Sequence, residues 1–157
     1  MEVTLSQDLW DDELALIVAA SQDPVIVKET YLPPDMDPGA AKRWFFGLKW
    51  GFFVLVDGKP AGMIILHPKP AKRGTVEAET WLLEEYRGRG ISRQGYLLIM
   101  DEAAKWFDRL VGWVWETNTA SLRMLTVTGF VPTGKRYERD GIGCIELEVG
   151  LCRKPVS

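Results

Sequence analysis

Tyr86-Arg87-Gly88-Arg89-Gly90-Ile91-Ser92 stands between a strand-like run and a strongly helical one, and its reading decides how the rest of the chain folds. Glycines let the backbone turn left-handed and let a ligand approach closely, while the first N–H groups of a helix lack intrahelical partners. A glycine turn that opens a helix is therefore a ready site for a phosphate group. Arg87 and Arg89 add charge suited to a diphosphate, and Ser92 supplies a hydroxyl or caps the helix. The same residues equally describe a basic turn that caps a helix and binds nothing, because short glycine motifs recur without a ligand.

Downstream of the turn, Ser92 to Leu110 reads as the longest helix. Leu97, Met100, Ala104 and Phe107 form one apolar stripe, and Tyr96, Ile99, Ala103 and Trp106 a second beside it, a width that implies packing on a sheet. Upstream, Thr75 to Leu82 alternates as a strand, with Glu77, Glu79 and Trp81 on one face and Val76, Ala78, Thr80 and Leu82 on the other. Gly112 to Trp115 is the strand after the helix, so Thr75 to Trp115 makes a βαβ unit with two parallel strands. Two hairpins frame it. Phe52–Val56 and Ala61–Leu66 flank Asp57-Gly58, and Val131–Arg139 and Ile142–Leu151 flank Asp140-Gly141. Asn118 to Thr128 is a short helix ended by Gly129. Earlier in the chain, Met1–Leu5 suggests a strand, Ser6–Ala20 a helix with Leu9, Leu14, Ile17 and Val18 on one face, and Pro38–Lys49 another helix. Leu32 to Gly39, broken by Pro33, Pro34 and Pro38, is either a plain connector or part of a substrate-side loop.

Composition narrows the setting. A chain of 157 residues with 46% hydrophobic content suits one domain, residues 1–157, with a sizeable core, and excludes a wholly disordered protein. A net charge of -3 argues against a general nucleic-acid binder, so the arginines of the turn act locally. Cys144 and Cys152 have no companions at zinc-site spacing and read as reduced, structural cysteines. His67 is the only histidine, which leaves no material for a histidine metal site or a His-centred triad, and no metal is expected. No stretch reaches the roughly 20 apolar residues that span a bilayer, and the N-terminus is acidic where a signal peptide is basic. The expectation is a soluble, cytoplasmic protein without a membrane or nucleic-acid partner. Trp44, Trp50, Trp81, Trp113 and Trp115 are aromatic walls for a flat or cationic acceptor, or simply core.

At this point the chain resembles a family. Arg87-Gly88-Arg89-Gly90-Ile91-Ser92 is similar to the Arg/Gln-x-x-Gly-x-Gly/Ala signature of the GCN5-related N-acetyltransferases (GNAT), with Ser92 in place of the final glycine or alanine. Asn118-Thr119-Ala120-Ser121, followed by Gly129-Phe130, resembles that family's Asn-x-x-Ser/Ala…Gly-Phe segment. The resemblance implies an α/β fold: a mixed, mostly antiparallel sheet with a splayed, parallel central strand pair and helices on both faces. It also implies acetyl-CoA as the acetyl-donor cosubstrate. Its pyrophosphate would lie on the N–H groups of Gly88, Arg89, Gly90, Ile91 and Ser92, with Arg87 or Arg89 nearby. Backbone groups of Thr80, Trp81 and Leu82 would pair with the pantetheine amides as an added strand does. Asn118 would hydrogen-bond the cofactor, cap the following helix, or do both.

The chemistry implied is N-acetyl transfer: a neutral primary amine, on a small molecule or a protein, attacks the thioester directly in a ternary complex, and CoA thiolate leaves. An alkylamine has a pKa near ~10, so a group must accept its proton, and Glu77 and Glu79 are the candidates. The same two residues also read as a solvated or acceptor-facing pair. Two features depart from the family pattern. One common position for the base falls on the Val76 and Ala78 face, which has no titratable group, and the tyrosine four residues before the Gly-Phe pair is replaced by Leu125. Tyr137 or Tyr86 is a substitute acid, and Glu116 a further base. A non-catalytic acyl-CoA-binding regulatory module of the same fold is thus the alternative, and a phosphate-binding interaction domain a weaker one. A homodimer is possible, as in many members of the family.

Overall fold

The computed structural model describes residues 1–153 and Pro155. Seven strands, β1 (Val3–Ser6), β2 (Gly51–Val56), β3 (Lys59–Pro68), β4 (Thr75–Leu82), β5 (Arg109–Trp115), β6 (Val131–Arg139) and β7 (Ile142–Gly150), form one sheet in the order β1-β2-β3-β4-β5-β7-β6. Five helices accompany them: α1 (Asp11–Ser21), α2 (Pro24–Glu29), α3 (Pro38–Phe46), α4 (Ile91–Ala103) and α5 (Thr119–Thr128). β1–β2, β2–β3, β5–β7 and β6–β7 pair antiparallel, and β4–β5 is the parallel pair, in register at Thr75↔Arg109, Val76↔Leu110 and Glu77↔Val111. Both Asp-Gly hairpins are present. Asp57 and Gly58 have φ of 49° and 80°, and Asp140 and Gly141 have 52° and 77°, the double left-handed turn whose twist matches the flanking strands.

Contacts divide the chain into two compact units, Met1–Leu66 with Glu79–Leu98, and His67–Ala78 with the residues from Ile99 onward. In the first unit, Leu16, Ile17, Ala20, Ile26, Leu32, Met36, Ala41 and Phe45, from α1 to α3 and the loop between, form one core with Phe53, Met63, Ile65 and Trp81 of the strands. Phe45 stacks on Phe53 with ring centroids 4.9 Å apart. α1, α2 and α3 each have a cap that the sequence supplies. The Trp10 N–H bonds Glu13 at the start of α1; Asp23 accepts from the N–H of Val25, and Asp37 from that of Ala40, each followed by a proline at the first helical position. These caps correct the helix expected from Ser6. Ser6 ends β1 and its hydroxyl accepts the Asp8 N–H in a turn, so α1 starts only at Asp11. α2 escaped the periodicity reading because its six residues are too few to show a stripe.

The second unit holds β5, β7, β6, the first half of β4, α5 and the end of α4. The helix expected to reach Leu110 stops at Ala103. Asp108 and Arg109 both donate to the Gly74 carbonyl, which starts β5 beside β4, and Leu110 and Val111 are buried as strand residues. Leu110, three residues past Phe107, continued the helical stripe, and the strand pairing took precedence. β6 is the edge strand, exposed along nearly its whole length and carrying Lys135, Arg136, Glu138 and Arg139, the charges that keep an edge from pairing further.

Candidate functional site

The glycine turn lies in the first unit. Glu84–Tyr86 forms one 3-10 turn, Arg87 is extended, and Gly88 and Gly90 take φ of 71° and 78° before α4 begins at Ile91. An added Cβ at either glycine meets nothing within 4 Å, so glycine is required there by the backbone conformation and the space beside it is open. Ser92 falls inside the first turn of α4, which excludes the capping role expected for it. The first helical N–H groups have no intrahelical acceptors, and the bond from the Gln94 N–H to the Gly90 carbonyl at 3.4 Å begins the ladder. Backbone donors at a helix N-terminus, with open space beside the two glycines, suit a pyrophosphate.

The two arginines differ. Arg87 donates from Nε to the Leu82 carbonyl at 3.1 Å, and its guanidinium lies 3.9 Å from the Asp23 carboxylate, so it ties the turn to the end of β4 and the start of α2. Arg89 is exposed over the Tyr86 ring at 5.6 Å, a loose contact that leaves its charge available to an anion. Arg87 also takes up the Leu82 carbonyl, one of the backbone acceptors expected to pair with a pantetheine amide.

Along β4, alternation places Thr75, Glu77, Glu79 and Trp81 on one face, as expected. The solvated reading of the two glutamates fails, since Glu77 is 8% and Glu79 7% exposed. In the first unit, Glu79 accepts the Tyr31 N–H at 2.9 Å, which anchors the segment between α2 and α3 to the strand. In the second, Glu77 pairs with Lys69 at 3.2 Å. Trp81 is the one tryptophan of the seven that is fully buried, and its indole Nε1 has no partner among the described residues. The core explanation for the tryptophans therefore holds for Trp81, while Trp113 and Trp115 stay partly open on β5.

The second unit holds the remaining candidates. Asn118 caps α5 by accepting the Ser121 N–H at 3.1 Å, which uses its carbonyl oxygen and leaves its amide N–H groups for a ligand. Leu125, at the position of the missing tyrosine, is buried in α5. Glu116 is bound by Arg136, whose hydrogen bond holds its carboxyl below the usual range, so it is a poor base. Tyr137 lies edge-on to Trp113, with ring centroids 4.8 Å apart. Burial and the neighbouring Cys144 and Glu77 push its pKa up, which keeps the phenol protonated as a donor. Glu146, 2% exposed on β7, escaped the sequence reading. The signal was present: Cys144, Glu146 and Glu148 alternate along β7, but strand pairing was needed to show that this face is covered.

A parallel strand pair inside an otherwise antiparallel sheet, with a phosphate-shaped glycine turn leading from the first of the pair into a helix, defines the acyl-CoA-dependent acetyltransferases. The acetyltransferase (GNAT) domain family matches residues 5–131, and the chain belongs to that family. Acetyl-CoA is its acetyl-donor cosubstrate. Similar solved structures include the spermidine N-acetyltransferase of Vibrio cholerae in complex with CoA and spermine (14% identity, 96% of each chain, TM-score 0.78). YncA of Salmonella typhimurium, with its cofactor acetyl-CoA, is similar over 95% of this chain and 94% of its own (18% identity, TM-score 0.75). An N-acetyltransferase of Staphylococcus aureus Mu50 is similar over 96% and 99% (20% identity, TM-score 0.73). At these identities the likeness is one of fold. No curated protein matches the chain.

Proposed function

We propose that the protein is an N-acetyltransferase that moves the acetyl group of acetyl-CoA to a primary amine by direct attack, with residues 1–157 acting as one acetyltransferase domain. The observation that carries this reading is the turn at Gly88 and Gly90: two left-handed glycines, open space beside them, and the N–H groups of α4 behind. The N–H groups from Gly88 to Ser92 hold the pyrophosphate, with Arg89 as the nearby charge and Arg87 fixing the turn. Main-chain groups of Thr80, Trp81 and Leu82 take the pantetheine amides, and Asn118 offers its amide to the cofactor. Bound acetyl-CoA supplies an activated acyl carbon and a thiolate leaving group with a pKa near ~8.5, which needs little acid assistance. Glu77 or Glu79 accepts the proton that the amine must lose.

Leu125 favours one second reading, an acyl-CoA-binding module without turnover, because the usual proton donor is absent and its position is filled by packing. Free thiol released from acetyl-CoA across a panel of primary amines separates the two. The enzyme reading expects amine-dependent release that falls in Glu77→Gln or Glu79→Gln. Stabilisation of the protein by CoA with no amine-dependent release from any panel member sinks it in favour of the module.

A further inference from the structure

Two ties join α2 and its flanks to β4 and the turn that follows it. At the front, Asp23 caps α2, and its carboxylate lies 3.9 Å from the guanidinium of Arg87, which also donates to the Leu82 carbonyl. At the back, the Tyr31 N–H donates to Glu79 Oε2 at 2.9 Å, a contact across 48 residues of chain. A helix of six residues therefore bridges the glycine turn and a carboxylate on β4, all within the first unit.

The surroundings show which partner of the second tie is being held. The segment around Tyr31 has fastenings of its own. Thr30 Oγ1 donates to the Ile26 carbonyl at 2.7 Å and accepts the Leu32 N–H at 3.2 Å. Ser21 accepts the Asp35 N–H at its carbonyl (2.8 Å) and the Met36 N–H at its hydroxyl (3.0 Å), and Leu32 and Met36 are buried in the core. A segment fixed in this way does not depend on a buried carboxylate to keep its place, and burying a carboxylate is costly. The costly partner is Glu79, 7% exposed, and a main-chain N–H on a rigid support sets the direction in which that carboxylate points.

Place along β4 gives the carboxylate its use. The β4–β5 register runs from Thr75 to Glu77, which is opposite Val111, and Glu79 stands two residues further on, next to Thr80. Thr80, Trp81 and Leu82 are the residues whose main chain takes the pantetheine in the reading above. A base must stand within hydrogen-bond reach, directly or through one water, of the proton it removes. Glu79 adjoins the cofactor stretch, whereas Glu77 lies inside the paired stretch and is bound by Lys69.

We propose that the Tyr31 main-chain N–H is a positioning group that aims the Glu79 carboxylate at the acceptor amine, so that Glu79, rather than Glu77, takes the amine's proton. The lone pair of the amine nitrogen forms the bond to the thioester carbon, and the carbonyl oxygen takes the displaced electron pair. The nitrogen's proton passes to Glu79, and the C–S bond breaks as the carbonyl re-forms, with CoA leaving as thiolate. This rests on the acetyltransfer reading above and adds to it which acid acts and what holds it.

The tie uses the main chain of Tyr31 and not its exposed ring, so the two are separable by substitution. Tyr31→Pro deletes the N–H, and Thr30 before it is extended (φ −133°, ψ −177°), the region that a residue preceding proline favours. Tyr31→Ala deletes the ring and keeps the N–H. In thiol release, kcat of Tyr31→Pro falls about tenfold to a hundredfold below that of Tyr31→Ala, with the same KM for acetyl-CoA. In the Glu79→Gln background the proline costs nothing further, because the group it positions is gone, a coupling that a merely structural tie does not produce. If Tyr31→Pro does not fold, the α-hydroxy acid of tyrosine at the same position replaces the N–H by an ester oxygen, keeps the ring, and is measured in the same way. Equal kcat in Tyr31→Pro and Tyr31→Ala, an undiminished proline effect in Glu79→Gln, or loss of activity in Glu77→Gln but not in Glu79→Gln would each overturn the proposal and leave acetyl transfer standing. No amine-dependent release from the unsubstituted protein would overturn both.

Discussion

The glycine turn and the acidic, aromatic face of the second unit are built by opposite means. In the turn the chemistry belongs to the backbone: left-handed glycines and unpaired helix N–H groups present donors, and no side chain is required to reach a particular place. On the face formed by β4, β5, β7 and β6 it belongs to side chains, brought from four strands into one patch by register. A backbone site is tolerant of side-chain change and sensitive to backbone conformation. A side-chain site is the reverse, and the two are separable by mutation.

The largest effect is expected where a proton must move. Glu79→Gln or Glu77→Gln, whichever is the base, should lower kcat by about 10²–10⁴ with little change in acetyl-CoA affinity, as read by thiol release and calorimetric titration. The other substitution should act mainly on acceptor KM, and a null result from both would remove β4 from the proton chemistry. Next in size is the turn. Replacing Gly88 and Gly90 together by alanine puts no atom against a neighbour, since the added Cβ atoms meet nothing within 4 Å. It should nonetheless cost about 1–2 kcal/mol per residue in left-handed strain, lost from acetyl-CoA binding and from stability together. Unchanged affinity would show that the backbone of the turn is not the cradle.

Asn118 tests the turn against a side-chain contact. Asn118→Ala removes the cap on the Ser121 N–H and should lower stability by about 1 kcal/mol. Asn118→Asp keeps the cap and loses only the amide donors, so a drop in acetyl-CoA affinity without a drop in melting temperature would mark the amide as a ligand group. The smallest effects belong to the edge hairpin. Arg136 holds the Glu116 carboxyl below its ordinary value of 4.5, so the pair adds stability above that pH and loses it as the pH falls through the depressed value. The melting-temperature difference between the protein and Glu116→Gln should be small near neutrality and vanish on acidification. Tyr137, raised above 10.0, favours the fold below that pH and loses the contribution as the pH rises past it. Tyr137→Phe should therefore remove a phenol that ionises above the ordinary range in an ultraviolet titration.

Most of the scaffold was legible because it rests on local chemistry. The Asp57-Gly58 and Asp140-Gly141 turns, the alternation from Thr75 to Leu82, the Asn118 cap and the Gly129 stop are each set by a few adjacent residues. The misreadings share a cause. Leu110 continued a helical stripe but went to β5, because its burial depended on pairing with β4. α2 was too short to announce itself, although Asp23-Pro24 supplied its start.

The sequence by itself determined where the chain turns, caps and alternates, and with them the family, because glycine conformations, helix starts and strand periodicity depend on neighbours in the chain. Only the tertiary structure decided that Arg87 is bound to Leu82 and Asp23 while Arg89 stays open, that Tyr31 anchors Glu79, and that the Trp113 and Tyr137 rings meet. Those facts depend on which strands become neighbours and in what register. Pairing over such separations is set by the whole sheet and its core, and no short stretch of sequence carries it.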